Sequence, residues 1–421
     1  MKKFNTLKKK YTILVLFLII LSVSGCTVTS KKNVKTLTVL AESSFEQQIE
    51  RAATNMELLN EEIEVKIQYL SRNEEQREIE IQKMRTQIMA GKGPDVYIID
   101  GVCEGSTEVK KPLFESPYQV MQSGALAPLD DFMGKDSYWK DSTYKEEFLE
   151  AGKSDGRQYI IPFSCHYFVY AKTPDVETMQ GATVKEWLKQ VENSSDYRLK
   201  EAFRRGFFNL SSRWFQPAIN YEKKEVLFDQ NQWCEFASDF LAFQEKASSE
   251  VEDQKQSCAI REVVKGNLES GMELQVIPDL EGRKAAAIAS YGAVGMSSEM
   301  KQEAYDFLML FLNDRIEKLK AENPDALRPS IGGYLDKQFI PVQENSIEAW
   351  LGADDEQVVR ELQESLEEID YAFFLTPAER ELYQEFDQLF FEIGDLSLNQ
   401  DMKLQAIAKD AWETYKMMLE E

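Results

Sequence analysis

The 421-residue sequence contains a single histidine, His166. Nucleophilic catalysis of the Ser-His-Asp or Cys-His kind needs an imidazole beside its attacking group. Cys165 adjoins His166 in sequence, but neighbours along a strand point to opposite faces. The reading for His166 as chemistry is therefore an uncharged cleft-lining or packing residue. A structural zinc site asks for clustered thiolates or several histidines. Besides Cys26, the cysteines are Cys103, Cys165, Cys234 and Cys258, and none stands in CxxC spacing. No metal and no cofactor is expected, and spacing does not pair the cysteines. A glycine-rich nucleotide fingerprint is also missing: Glu42-Ser43-Ser44 follows the first predicted strand, which weighs against dinucleotide binding. There is no low-complexity tract, and 43% of residues are hydrophobic, so the chain has the composition of a packed protein. Positive charge is scarce, with 49 Lys and Arg against 73 Asp and Glu. So acidic a body repels nucleic acid and anionic lipid surfaces, which are bound through clustered cations.

The exception is the amino terminus. Lys2, Lys3, Lys8, Lys9 and Lys10 form a basic head, followed by an apolar core from Ile13 to Leu21. That core is too short for an ordinary transmembrane helix. With Val23-Ser24-Gly25-Cys26 after it, the segment reads as a secretory leader. Ending on Gly25-Cys26, it resembles a bacterial lipobox. The resemblance implies cleavage before Cys26 and acylation of its thiol and new amino group, a lipid anchor that does not cross the membrane. Residues 1–25 are then the leader and 26–35 a polar tether. Without the five leading lysines, 44 basic residues face 73 acidic ones, a net charge of −29. The remaining length, about 395 residues, exceeds what one core usually holds, so two lobes are expected.

The stretch from Arg85 to Gly101, RTQIMAGKGPDVYIIDG, organises the amino-terminal part of the chain. It opens as the tail of an amphipathic helix. Gly91 and Gly93 stop that helix, because glycine takes the left-handed backbone of a helix end at little cost, and Pro94 blocks a restart. Val96 to Ile99 form an apolar run without alternation, which suits a strand buried on both faces. It ends in Asp100-Gly101, at the carboxyl end of the strand, where open α/β sheets bind ligands. Upstream, a strand at 36–41, a helical face of Phe45, Ile49, Ala52, Ala53 and Met56, a strand at 63–69 and a helix from about 74 to 90 complete a β-α-β-α-β run. Ser44 with Gln47, and Ser397 with Gln400, fit capping boxes. Asp155-Gly156 signals a tight turn.

AGKGPDV with its flanks, GALAPLDDF at 124–132 and EAYDFLMLFLND at 303–314 resemble the family 1 extracellular solute-binding proteins, the maltose-binding-protein-like receptors of ABC importers. The resemblance implies an α/β, two-lobed, periplasmic-binding-protein-like fold. Each lobe would be a mostly parallel sheet flanked by helices, with a cleft at the hinge. It places 36–165 and 283–322 in the amino-terminal lobe and 166–282 and 323–421 in the carboxy-terminal lobe. It also implies a monomer that closes on a small solute, a carbohydrate being expected, and delivers it to membrane permease subunits from an extracytoplasmic, lipid-anchored position. It implies no enzymatic activity. A secreted hydrolase using paired carboxylates and a solute sensor without a transport role are the alternatives.

Sugars are held by carboxylates and amides on their hydroxyls and by flat rings on their apolar face. Candidate ligand residues by position are Glu42 and Ser43 after the first strand and Asp100 after the third. His166 and Tyr167 stand at the crossing, Trp214 in the second lobe, Tyr291 at the return and Arg328 near the recrossing. Each has a plainer alternative. Glu42 could cap a helix, Asp100 close a turn, Trp214 and Tyr291 pack a core, and Arg328 pair with one of the many acids.

Overall fold

The computed structural model describes residues 34–101, 111–206, 213–215, 217–246, 257–324, 333–352, 356–392 and 400–420. The leader, Cys26, Cys103, Arg328 and the Ser397 cap lie outside them. The described chain opens with β1 (Lys35–Glu42), α1 (Glu46–Leu59), β2 (Ile63–Leu70), α2 (Glu74–Met89) and β3 (Val96–Asp100). β1 runs parallel to both β2 and β3. The end of α2 follows from its glycine. Gly91 takes φ +67°, and the N–H groups of Gly91 and Lys92 fold back onto the carbonyls of Ile88 and Gln87 at 2.9 and 2.8 Å. That pattern satisfies two carbonyls the helix end would otherwise leave open. Asp95 then acts as a rivet. Its carboxylate accepts from Thr38 N–H at 2.8 Å, from the Thr38 hydroxyl at 2.6 Å and from the Ser298 hydroxyl at 2.6 Å. One side chain thus joins β1, β3 and a segment two hundred residues away.

The expected tight turn at Asp155-Gly156 joins two short strands, Lys153–Ser154 and Arg157–Gln158. Both turn residues have positive φ, 49° and 71°, as a two-residue hairpin loop requires. β4 (Ile160–His166) is buried along its whole length. After Tyr167, β5 (Phe168–Lys172) leaves that sheet and pairs with β6 (Cys258–Glu262) and β7 (Glu273–Val276). β8 (Ala285–Val294), ten buried residues, returns to the large sheet, which β9 (Ile340–Pro341) and β10 (Tyr371–Phe373) complete. Its order is β9-β4-β8-β3-β1-β2, with β10 beside β8.

The strand sense departs from the expectation of mostly parallel sheets. In the large sheet β8 runs antiparallel to both β3 and β4, and β9 antiparallel to β4. The smaller sheet is antiparallel throughout. The large sheet is therefore mixed. Apolar runs show that a strand is buried but carry no mark of its direction, which the connections decide. A second departure concerns α1. Ser44 does not cap it. Residues 43–45 form a 3-10 turn, and the Ser44 hydroxyl donates to Asp100 at 3.0 Å. A cap that the residue types suggest, but that the sequence reading leaves out, is Thr183 with Glu186, a reciprocal capping box on the helix Val184–Asn193.

Two large hydrophobic cores result, with a small cluster of Ala285, Ala287, Phe373 and Leu375 beside them. The first gathers residues of 37–171 and 286–374 around the large sheet, together with Val263 and Val276. The second gathers 176–280 with the helices Pro377–Glu392 and Gln400–Glu420. Leu335, Ile340, Ile347, Trp350, Leu362 and Phe374 belong to the first core, although the whole of 323–421 is expected in the second. The reason is β9 and β10, whose pairing with β4 and β8 holds the intervening helices against the large sheet. β5 lies between the cores. Val169 and Ala171 face the first and Tyr170 the second, as the two-residue period of a strand dictates.

Candidate functional site

β1, β3 and β4 all end at the same edge of the large sheet, and antiparallel β8 begins there. This carboxyl edge collects the polar residues. Gly101 makes the approach of β3 and β8 close enough. A Cβ there would sit 2.1 Å from the Ile288 carbonyl oxygen, and its N–H donates to Ala289 at 2.7 Å. Asp100 is the register partner of Ser290. The Ser290 and Ser164 hydroxyls share a hydrogen bond of 2.5 Å, and Ser164 donates to Asp336 at 3.1 Å. Burial pushes the Asp336 carboxyl above the usual range, although the N–H groups of Gln338 and Phe339 donate to it. A continuous polar lane therefore crosses the sheet in an apolar setting, where unpaired polar atoms would be costly.

The lane runs on into the junction of the two cores. His166, the last residue of β4, is fully buried. Its Nδ1 lies 2.8 Å from the Glu262 carboxylate on β6, and Arg213 Nη2 lies 3.0 Å from Nδ1 and 3.1 Å from Nε2. The arrangement suits neutral imidazole, Nδ1–H donating to Glu262 and Nε2 accepting from Arg213. Arg213 also lies over the Phe168 ring, 5.1 Å from its centroid. Burial, with the Arg213 charge, pushes the His166 pKa down to about 4 against the pull of Glu262. Burial raises Glu262, but its hydrogen bond with His166 and the nearby Arg213 charge leave it below the usual range.

Stability depends on pH here with a definite sign. Between pH 6.5 and 4 the unfolded chain protonates this histidine and the folded chain does not. Stability therefore rises with pH across that window and falls on acidification. A pKa lowered from 6.5 to about 4, at roughly 1.4 kcal/mol per pH unit, is worth about 3 kcal/mol. Chemical denaturation at pH 7 and pH 4.5 will show a smaller loss for His166→Asn than for the parent. Equal losses would mean that His166 is not the titrating group.

The remaining expected site residues have other surroundings. Glu42 is 1% exposed and its two oxygens each take a 2.7 Å hydrogen bond from Arg77, so it neither caps a helix nor faces solvent. Ser43 accepts from Arg72 Nε at 3.2 Å, and its carbonyl takes Arg72 Nη2. Asp100 stays partly exposed at the edge. Tyr167 is buried, sharing a 2.7 Å hydrogen bond with Ser365. Tyr291 is buried with its ring 5.1 Å from that of Phe374. Trp214 is 2% exposed and enclosed by Phe236, Phe386 and Trp233, centroids 4.7, 5.2 and 5.9 Å away. Tyr291 and Trp214 thus take their core-packing alternatives, their faces covered by protein. Asp100, Ser43 and His166 come together along one edge. Arg213, Glu262, Ser164, Ser290, Asp336 and Arg77 are not among the residues that sequence reasoning picks out. Arg213 carries the clearest signal of these, a cation directly before two aromatics in a polar stretch.

Beside Arg213 a crevice of about 20 Å³ is lined by Phe168, Trp214, Ile277, Asp279, Arg283 and Ala285, room for a water but not for a sugar ring. Cys165 is buried, and burial raises its thiol above the ordinary range, so it is no thiolate partner for His166. Among the described residues no helix is long and apolar enough to cross a membrane.

No family model and no curated protein sequence matches the chain. Solved structures do. A family 1 extracellular solute-binding protein from Alicyclobacillus acidocaldarius aligns with 92% of this chain and 99% of its own, at TM-score 0.60 and 15% identity. An ABC substrate-binding protein from Listeria monocytogenes, in complex with cycloalternan, aligns with 90% and 98%, at 0.54 and 16%. The sugar-binding protein MalE from Xanthomonas citri aligns with 91% and 98%, at 0.57 and 11%. Two designed esterases are similar over the same span, a reminder that a fold hosts more than one chemistry. The chain has the two-lobed α/β fold of the solute-binding proteins.

Proposed function

We propose that this chain is the solute-binding receptor of an ABC importer. It is held outside the cell membrane by lipid on Cys26 and presents its solute, a carbohydrate, to permease subunits. The observation that carries the reading is the shared architecture over nine-tenths of the chain with proteins that bind sugars. The placement of polar groups supports it. Asp100, Ser43 and the serine lane stand at the sheet edge that faces the second lobe, where a solute could be gripped from both sides. Closure of two lobes around a bound solute shifts a hinge equilibrium, and a permease can read the closed shape. The Arg213–His166–Glu262 contact, which joins β4 to the smaller sheet, belongs to that hinge. Residues 36–165, 283–322 and 333–375 make the first lobe, and 168–282 with 377–420 the second.

The test is a thermal-shift screen of the fragment from residue 27 onward against a panel of mono- and oligosaccharides. One sugar should raise Tm, since a ligand at a hundred times its Kd stabilises by about 2.7 kcal/mol. A shift with a peptide, polyamine or metal ion and with no sugar would overturn the carbohydrate assignment. Asp100→Ala should abolish the sugar shift while lowering the unliganded Tm by only about 2–4 °C, because the part-exposed edge carboxylate gives up its 3.0 Å bond from Ser44 and such a bond contributes about 1 kcal/mol to folding.

A further inference from the structure

A cavity lies at the other end of β3. It encloses about 610 Å³ between α2, the short helix Pro117–Gln122 and the end of β8, within the size range of small-molecule sites. Ile88, Met89, Tyr97, Phe114, Val120 and Met296 line it. Met89 is 89% exposed and Met296 41%. Such a pair of flexible thioethers at the mouth of an apolar cavity adapts to a flexible guest. Arg85 reaches the rim, but its guanidinium already holds the carbonyls of Pro112 and Leu113 and the Glu115 carboxylate. The lining therefore specifies an apolar body more strongly than a head group, the reverse of the polar lane at the carboxyl edge.

The position is informative too. Thr38 accepts the Asp95 N–H at 3.0 Å, so the start of β1 lies beside Gly93 and Pro94 at the same edge as the cavity. Lys35 is then roughly 10 Å further along β1. The nine residues from Lys35 back to Cys26 span up to roughly 30 Å when extended, enough to bring the amino-terminal cysteine to the mouth.

We propose that this cavity binds one acyl chain. Its source is either a free fatty carboxylate or the chain's own anchor, and the second source rests on the proposed lipidation of Cys26. The cavity is separate from the solute edge, so occupation of one site need not disturb the other.

Calorimetric titration of the fragment from residue 27 onward with palmitate tests it. One palmitate should bind with a micromolar Kd. Val120→Trp, which fills the cavity, and Met89→Glu, which puts a charge at its mouth on an exposed position that folding does not need, should each weaken binding at least tenfold. The sugar-dependent Tm shift should stay as in the parent. No palmitate binding, or binding that both variants leave unchanged, overturns the acyl site whatever the sugar screen shows. Repeating the titration with the lipidated full chain in vesicles separates the sources. Loss of palmitate binding there assigns the cavity to the anchor, and unchanged binding assigns it to a free fatty acid. The mass of the processed amino terminus reports separately whether Cys26 carries lipid.

Discussion

An Arg77→Ala variant will lose roughly 3–5 kcal/mol of stability, the usual result of removing one member of a buried ion pair. Glu42 and Arg77 are both nearly inaccessible, and the guanidinium meets the carboxylate with two parallel 2.7 Å bonds. Arg77 also donates through Nε to the Lys111 carbonyl at 2.7 Å. Without it, Glu42 keeps a charge at the end of β1 with nothing in the former guanidinium space to answer it. Arg77→Lys should lose an intermediate amount, because an ammonium cannot reproduce the planar fork. Replacing both partners, Glu42→Leu with Arg77→Met, should recover most of the loss, since no charge is then stranded. Urea denaturation of the four proteins measures all of this. A loss under about 1 kcal/mol for Arg77→Ala would place the pair in solvent and return Glu42 to the candidates for binding solute.

Trp214→Ala will lower stability by a comparable amount, about 3–5 kcal/mol for an emptied aromatic core position. The indole is walled in by Trp233, Phe236, Phe240 and Phe386, so truncation leaves a cavity and forfeits several edge-to-face contacts. Among the described residues its buried Nε1–H has no hydrogen-bond partner. Trp214→Phe should therefore restore most of the loss, as it removes a polar atom that gains nothing. Two measurements separate this from a sugar-stacking role. Melting reads the core contribution, and titration of the stable Trp214→Phe protein with the solute found in the screen reads binding. A variant that melts like the parent yet binds no solute would make Trp214 a stacking plate after all.

Both predictions turn on residues whose importance is visible in sequence and whose role is not. Glu42 stands out by its place after a strand, but its partner is 35 residues away on α2, whose charged surface offers many cations to choose from. His166 stands out as the single histidine, and its uncharged, packed state is legible from that. Its partners Arg213 and Glu262 lie 47 and 96 residues downstream, a pairing that no local pattern announces. Asp100 is placed at the edge by the sequence alone because it depends only on the strand it ends. Ser44 misleads because a capping pattern competes with whatever else the hydroxyl can reach, and here that is Asp100.

What the amino-acid sequence determined alone is everything set by neighbours within a turn or a strand. The halt of α2 at Gly91, the buried run of β3, the tight turn at Asp155-Gly156 and the amphipathic helical faces follow from backbone freedom and side-chain period. The direction of the strands in the smaller sheet, the return of 333–375 to the first core and the buried pairs were decided only when distant segments met. Burial rewards apolar area and matched charge without regard to where along the chain they come from, so those choices belong to the assembled fold.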